Sequence, residues 1–137
     1  MPTPADRLAE ARESSDPAAL RALTATGYAF VDQALAVNPH TPPDALAVLA
    51  GARHSVWNDN CLLGLLAEHP AADGAVLHAV LAAVAERLAA GERPYTAALA
   101  LARRPELPAD GVRALGRTAG ASARLRRRLA RALDGRG

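Results

Sequence analysis

Apolar residues return along this chain at spacings of three and four, the period of a helix that buries one stripe. Leu46/Leu49, Leu77/Val80 and Val112/Leu115 are such pairs, and Leu125, Leu129 and Leu133 form an i, i+4, i+8 series. Prolines and glycines interrupt these runs at short intervals. The spacing predicts an all-α chain with helices near 4–13, 17–25, 28–37, 42–50, 56–68, 73–90, 94–103, 108–118 and 121–134.

The densest interruption is "LAVNPHTPPDALAVLAG", residues 35–51, where three of the ten prolines fall within five positions. Pro39 stops one helix, because the residue before a proline is pushed out of the helical region. The next helix is expected to take Thr41 as its N-cap. Pro42 would sit at the first helical position, where its missing N–H costs nothing, and Asp44 would complete a pair like a capping box. Gly51 marks the far end.

This corner recurs. Leu-Ala-x-x-Pro begins at Leu35, Leu66 and Leu101, and each time an apolar residue stands seven after the proline with another three later. A looser copy begins at Leu8 and needs one inserted residue to align Leu20/Leu23; "LARAL" from Leu129 reads as a half-unit. The starts at 8, 35, 66, 101 and 129 are 27 to 35 residues apart, a range typical of stacked helical units. Each unit would be a helix pair whose apolar stripe only its neighbours can cover. The short corners make successive helices antiparallel or steeply crossed.

The unit from Leu35 resembles the leucine-rich repeat variant family, whose pattern is close to A-x-N-P-x-T-P-x-x-x-L-x-x-L-A. Ala36, Asn38, Pro39, Thr41, Pro42, Leu46, Leu49 and Ala50 carry the match. In later units His69 and Arg104 replace the asparagine, while Pro70 and Pro105 remain. The resemblance extends over residues 8–133 and is closest over 31–82. It implies an α-solenoid related in shape to HEAT and armadillo stacks, and it implies no activity. Some members carry an N-terminal cysteine cluster for iron and sulfur, which Cys61 alone cannot supply. The expected architecture is a right-handed, HEAT-like α-solenoid of about four stacked helix-pair repeats, one domain over residues 1–137.

Composition agrees with the all-α reading. Half the residues are apolar, only 3 % are aromatic, and isoleucine is absent; alanine and leucine dominate, and both favour helix. A single cysteine excludes an internal disulfide. The N-terminus lacks the basic and apolar regions of a signal peptide, and no apolar run approaches the roughly 20 residues of a membrane span. The expectation is a cytoplasmic protein with no membrane partner.

Charge adds two candidate chemistries. Residues 1–100 hold six Arg and eleven Asp or Glu, net −5; residues 101–137 hold ten Arg and three Asp or Glu, net +7. On the last helix Arg124, Arg127, Arg128 and Arg131 fan out opposite the leucine stripe, and Arg113 and Arg117 lie one turn apart on the helix before it. Such a fan can grip phosphate bidentately and bind nucleic acid by counterion release. It can equally be a solvated outer face. No aromatic beyond Tyr95 lies near it for base stacking.

The second candidate is "RHSVWNDN", residues 53–60, which holds the only tryptophan. Trp57 with Asn58, Asp59 and Asn60 could form a ligand pocket or anchor a partner. The Trp and Asp pair is also similar to that of HEAT-like DNA glycosylases. The plainer expectation is that Trp57 plugs a seam between helix layers and that an Asn or Asp caps a helix starting near Asn60. His40, His54, His69 and His78 lack metal-ligand spacing, and Cys61 reads as a small buried apolar residue. No phosphate loop, nucleophile elbow or paired-carboxylate motif is present. The chain is therefore expected to be non-catalytic, with no cofactor and no metal, and to serve as a scaffold whose partner is another protein. A nucleic acid or other polyanion is the alternative partner. A second copy is a third, since an incomplete last unit leaves an apolar end to cover.

Overall fold

The computed structural model describes residues 2–136. Among them lie nine α-helices and no strand: α1 (Pro4–Glu13), α2 (Pro17–Leu23), α3 (Ala29–Val37), α4 (Pro43–Ala50), α5 (Val56–Glu68), α6 (Gly74–Ala89), α7 (Tyr95–Ala102), α8 (Ala109–Arg113) and α9 (Ala123–Asp134). Eight of the nine match the helices expected from the sequence to within two residues at each end. The exception is the expected helix 108–118, which stops as α8 and continues as a 3-10 turn over Ala114–Arg117. Gly111 and Gly116 each weaken helix there by about 1 kcal/mol relative to alanine. At Gly116 the chain also runs close under α9: a Cβ would meet the Arg126 Cγ at 2.9 Å.

Side-chain caps fix most helix starts. Asp16, Ser55, Asp73 and Ser122 each accept a hydrogen bond from a first-turn N–H, and Thr3 and Asp6 form a reciprocal capping box. The 35–51 corner differs from expectation. Pro42 itself is the N-cap and Pro43 the first helical residue, so the helix begins one position late. Thr41 does not cap. Its buried hydroxyl donates to the Leu35 carbonyl at 2.7 Å, a second donor beside the Asn38 N–H on an acceptor in the last turn of α3. Asp44 instead accepts from Arg21 Nε at 2.8 Å.

The odd-numbered helices pack in chain order, α1 on α3, α3 on α5, α5 on α7 and α7 on α9. Of the even set, α2 packs on α4, α4 on α6, and the 3-10 turn on α6. One continuous apolar core lies between the two sets. The recurring pairs Leu46/Leu49, Leu77/Val80 and Val112/Leu115 are all buried in it, as are Leu125, Leu129 and Leu133. Each such leucine contributes roughly 1.5–3 kcal/mol by leaving water.

A chain of polar links joins the corners. Asn38 Nδ2 donates to the carbonyls of Ala11 and Ser14, both at 2.9 Å. His69 Nε2 donates to the Asn38 carbonyl at 2.8 Å, while its Nδ1 accepts from the Ala71 N–H at 3.0 Å. The Arg104 guanidinium donates to Ala67, His69 and Ala72 carbonyls at 2.9–3.1 Å. Arg136 does the same to Leu101, Ala102 and Leu107. In every case the third residue after a core leucine (Leu35, Leu66, Leu101, Leu133) reaches back to the preceding corner. Those carbonyls lie in or next to the last turns of helices, where acceptors lack full intrahelical pairing, and several already take one backbone N–H. His69 and Arg104 thus keep the role of Asn38 with longer reach. The last copy of the corner is in register with Leu133, not with Leu129.

No helix among the described residues is long and apolar enough to cross a membrane.

Candidate functional site

The segment RHSVWNDN is the start of a helix. Ser55 Oγ accepts from the Asn58 N–H at 3.2 Å, so α5 begins at Val56 as the 56–68 spacing predicts, and its cap is Ser55, not an Asn or Asp near Asn60. Helical geometry then separates the four residues singled out in the sequence. Asp59 lies about 200° around the helix from Trp57 and is only 4 % exposed, whereas Trp57 is 71 % exposed. Trp57 therefore does not plug a seam. Asn58 lies to one side and accepts from Gln33 Nε2 of α3 at 3.1 Å. Asn60 lies on the same side of α5 as Trp57 but is half-buried.

Trp57 stands at the lip of a cleft of about 570 Å³, within the roughly 300–1,000 Å³ range of ligand sites. Its floor is one stripe of α5: Asn60, Cys61, Gly64 and Glu68. One wall is Gln33, and the other is the segment from Arg93 to Thr96 that leads into α7. Gly64 keeps the floor low and lets α7 come near; Thr96 Cγ2 lies 3.7 Å from where a Cβ would be. Cys61, expected to be buried, is half-buried on this floor. The Asn60 side-chain oxygen is enclosed and accepts no hydrogen bond. Away from the cleft, Tyr28 and Phe30 at the start of α3 are partly exposed and stack at 5.2 Å between centroids.

Beneath the lip runs a buried chain of charges. Asp32 Oδ2 lies 2.7 Å from His54 Nε2. The His54 backbone N–H donates to Asp59 Oδ1 at 2.8 Å. Asp59 Oδ2 meets Arg87 Nη2 at 3.0 Å, and Arg87 Nη1 lies 3.5 Å from Glu92 Oε2. Burial pushes the Asp32 carboxyl above its ordinary range, against the hydrogen bond from His54 that lowers it. The chain links α3, the start of α5, α6 and the loop ahead of α7, so it fixes both the lip and one wall of the cleft. Asp59 is therefore a buried structural anion, out of reach of anything that meets Trp57. Its sequence signal was subtle: Asp32 and Arg87 fall beside the buried residues Val31, Val84 and Leu88.

The arginines of α9 divide into two groups. Arg124, Arg127, Arg128 and Arg131 are exposed opposite the buried leucine stripe. Arg128 and Arg131 line a hollow of about 240 Å³ with Leu99 and Arg103 of the α7 end. On the other flank Arg113, Arg117 and Arg126 edge a second hollow of about 230 Å³. Arg113 is paired with Asp110 at 3.2 Å, and Arg126 donates to the Gly116 and Ala121 carbonyls. Arg103, Arg128 and Arg131 are in no ion pair among the described residues. Arg103 lies outside the fan read from the sequence because it belongs to another helix. It shares one stripe of α7 with Thr96 and Leu99, spaced i, i+3, i+7, so the cleft and the first arginine hollow open on the same face.

No family model, curated protein or solved structure matches this chain.

Proposed function

We propose that the protein is a non-catalytic interaction module that takes an extended, apolar-anchored segment of another protein into the α5 cleft. The observation that carries this reading is Trp57, the sole tryptophan, held 71 % exposed beside a groove floored by its own helix. Indole presents a large apolar area with little rotamer entropy to lose, so an exposed Trp at a concave site is the type of residue that dominates binding energy. The buried charge chain preorganises the lip, and preorganisation lowers the cost of binding. In this reading the helix pairs form a right-handed α-solenoid of leucine-rich-repeat-variant or HEAT type. The in-order packing of the odd-numbered helices and the recurrent corner links support it.

Selection of a displayed peptide library on the immobilised chain tests the function. Bound peptides should share an apolar anchor, slow the alkylation of Cys61 on the cleft floor, and lose affinity for Trp57→Ala by about 2 kcal/mol, the size of a hot spot. Peptides that bind both forms equally and leave Cys61 reactive would refute the cleft.

A second reading is a polyanion binder, favoured by the exposed arginines of α9. It predicts binding of labelled DNA or RNA that falls steeply between roughly 50 and 200 mM salt. Changing Arg124, Arg127 and Arg128 to Ala should then flatten that slope.

A further inference from the structure

The hollow between α7 and α9 collects three guanidiniums, Arg103, Arg128 and Arg131, around Leu99. None has a carboxylate partner among the described residues, although α9 itself carries Asp134. Like charges gathered in one hollow repel one another, and an anion seated among them relieves that repulsion. The hollow lies on the stripe of α7 that begins at Thr96 in the cleft wall and runs through Leu99 to Arg103. Seven residues of helix from Thr96 to Arg103 span about 10 Å. An extended chain covers that distance in about three residues.

We infer that the partner segment is acidic on one side of its anchor: an apolar residue against Trp57 in the cleft, and two or more carboxylates over Arg103, Arg128 and Arg131, about three residues beyond the point where the segment passes Thr96. This inference rests on the reading of the cleft as a peptide groove. Charge complementarity gives it polarity. Glu68 stands in the cleft floor and Arg93 in its wall, so the cleft carries no net charge of its own, while residues 1–100 carry net −5. A segment neutral at its anchor and acidic beyond it therefore matches both parts of the face. The same layout disfavours a nucleic acid, whose phosphates would continue into a cleft with no net positive charge. The arginine hollow also offers Leu99, not an aromatic, for a base to stack on.

The experiment is the library selection repeated on Arg128→Glu/Arg131→Glu. Both residues are exposed, so the variant should fold, and an unchanged melting profile checks this. On the wild type, Asp and Glu should be enriched at positions on one side of the apolar anchor, beyond the part of the segment that passes Thr96. The double reversal should weaken those peptides by at least tenfold, since attraction becomes repulsion at two sites, and should enrich Arg and Lys at the same positions. Anchored, Trp57-dependent peptides with no acidic preference, or with one indifferent to the reversal, would overturn this inference and leave the cleft reading standing. Peptides indifferent to Trp57→Ala would overturn both. Binding of single-stranded oligodeoxythymidylate that requires Arg128 and Arg131, with no acidic peptide selected, would overturn it in favour of nucleic acid.

Discussion

At single residues, the corner donors matter most. Asn38, His69, Arg104 and Arg136 each satisfy backbone carbonyls of the preceding corner. A buried carbonyl stripped of its donor costs about 1–3 kcal/mol, so Asn38→Ala should destabilise by that amount in urea unfolding. Arg104→Lys should also destabilise, since an ammonium on a flexible stem cannot reproduce a planar fork aimed at three carbonyls. The sequence displayed this position clearly, three residues after a conspicuous leucine, but not its job. An arginine after Leu-Ala-Arg looks solvated until the preceding corner is known to lie within its reach.

Asp32 carries a pH signature. Its carboxyl titrates above the ordinary 3.8 in the folded chain because burial penalises the charge. The folded state therefore holds this proton more tightly than the unfolded chain does. The stability that Asp32 contributes is fully present below 3.8 and is lost as pH rises through its folded value. Asp32→Asn should gain stability relative to the wild type across that window and run parallel to it above. His54→Ala removes the donor that opposes burial, so it should move the window upward. Unfolding midpoints across the acid range measure both effects.

Among the elements, helix positions were legible because stripes, prolines and caps agree on them. The exposed face of a helix was less so, since it depends on which neighbour covers it. An apolar indole next to a helix start reads as a seam filler when its cap is taken to be an Asn or Asp near 60. With Ser55 as the cap, the same residue turns outward. The consecutive prolines 42 and 43 left the start of α4 ambiguous by one position for a similar reason: either ring suits the first turn. Links between elements carry their own constraint at Gly120, which joins the 3-10 turn to α9. Its φ is +92°, and a Cβ there would collide with the Leu88 carbonyl oxygen. Gly120→Ala should cost at least about 2 kcal/mol, through left-handed strain and a clash with backbone that cannot step aside. Gly27 also has positive φ, +75°, but open space around it. Gly27→Ala should cost only the strain, about 1–2 kcal/mol, and the difference between the two melting shifts isolates the clash.

Over the whole molecule, the dipolar charge was plain in the sequence, but its relation to the cleft was not. The cleft draws on α3, α5 and the approach to α7, and the arginine hollow on α7 and α9. Only packing in chain order brings them onto one face. The same order makes each helix pair depend on its neighbours, so the cleft sits at the middle of the stack, where both sides brace it.

The most direct measurement is the emission of the sole tryptophan. Trp57 free at the lip predicts emission typical of indole in water, ready quenching by acrylamide at all protein concentrations, and a blue shift with protection when a selected peptide is added. Blue-shifted, quencher-resistant emission from the unliganded chain would contradict it, because the residue that defines the cleft would already be covered.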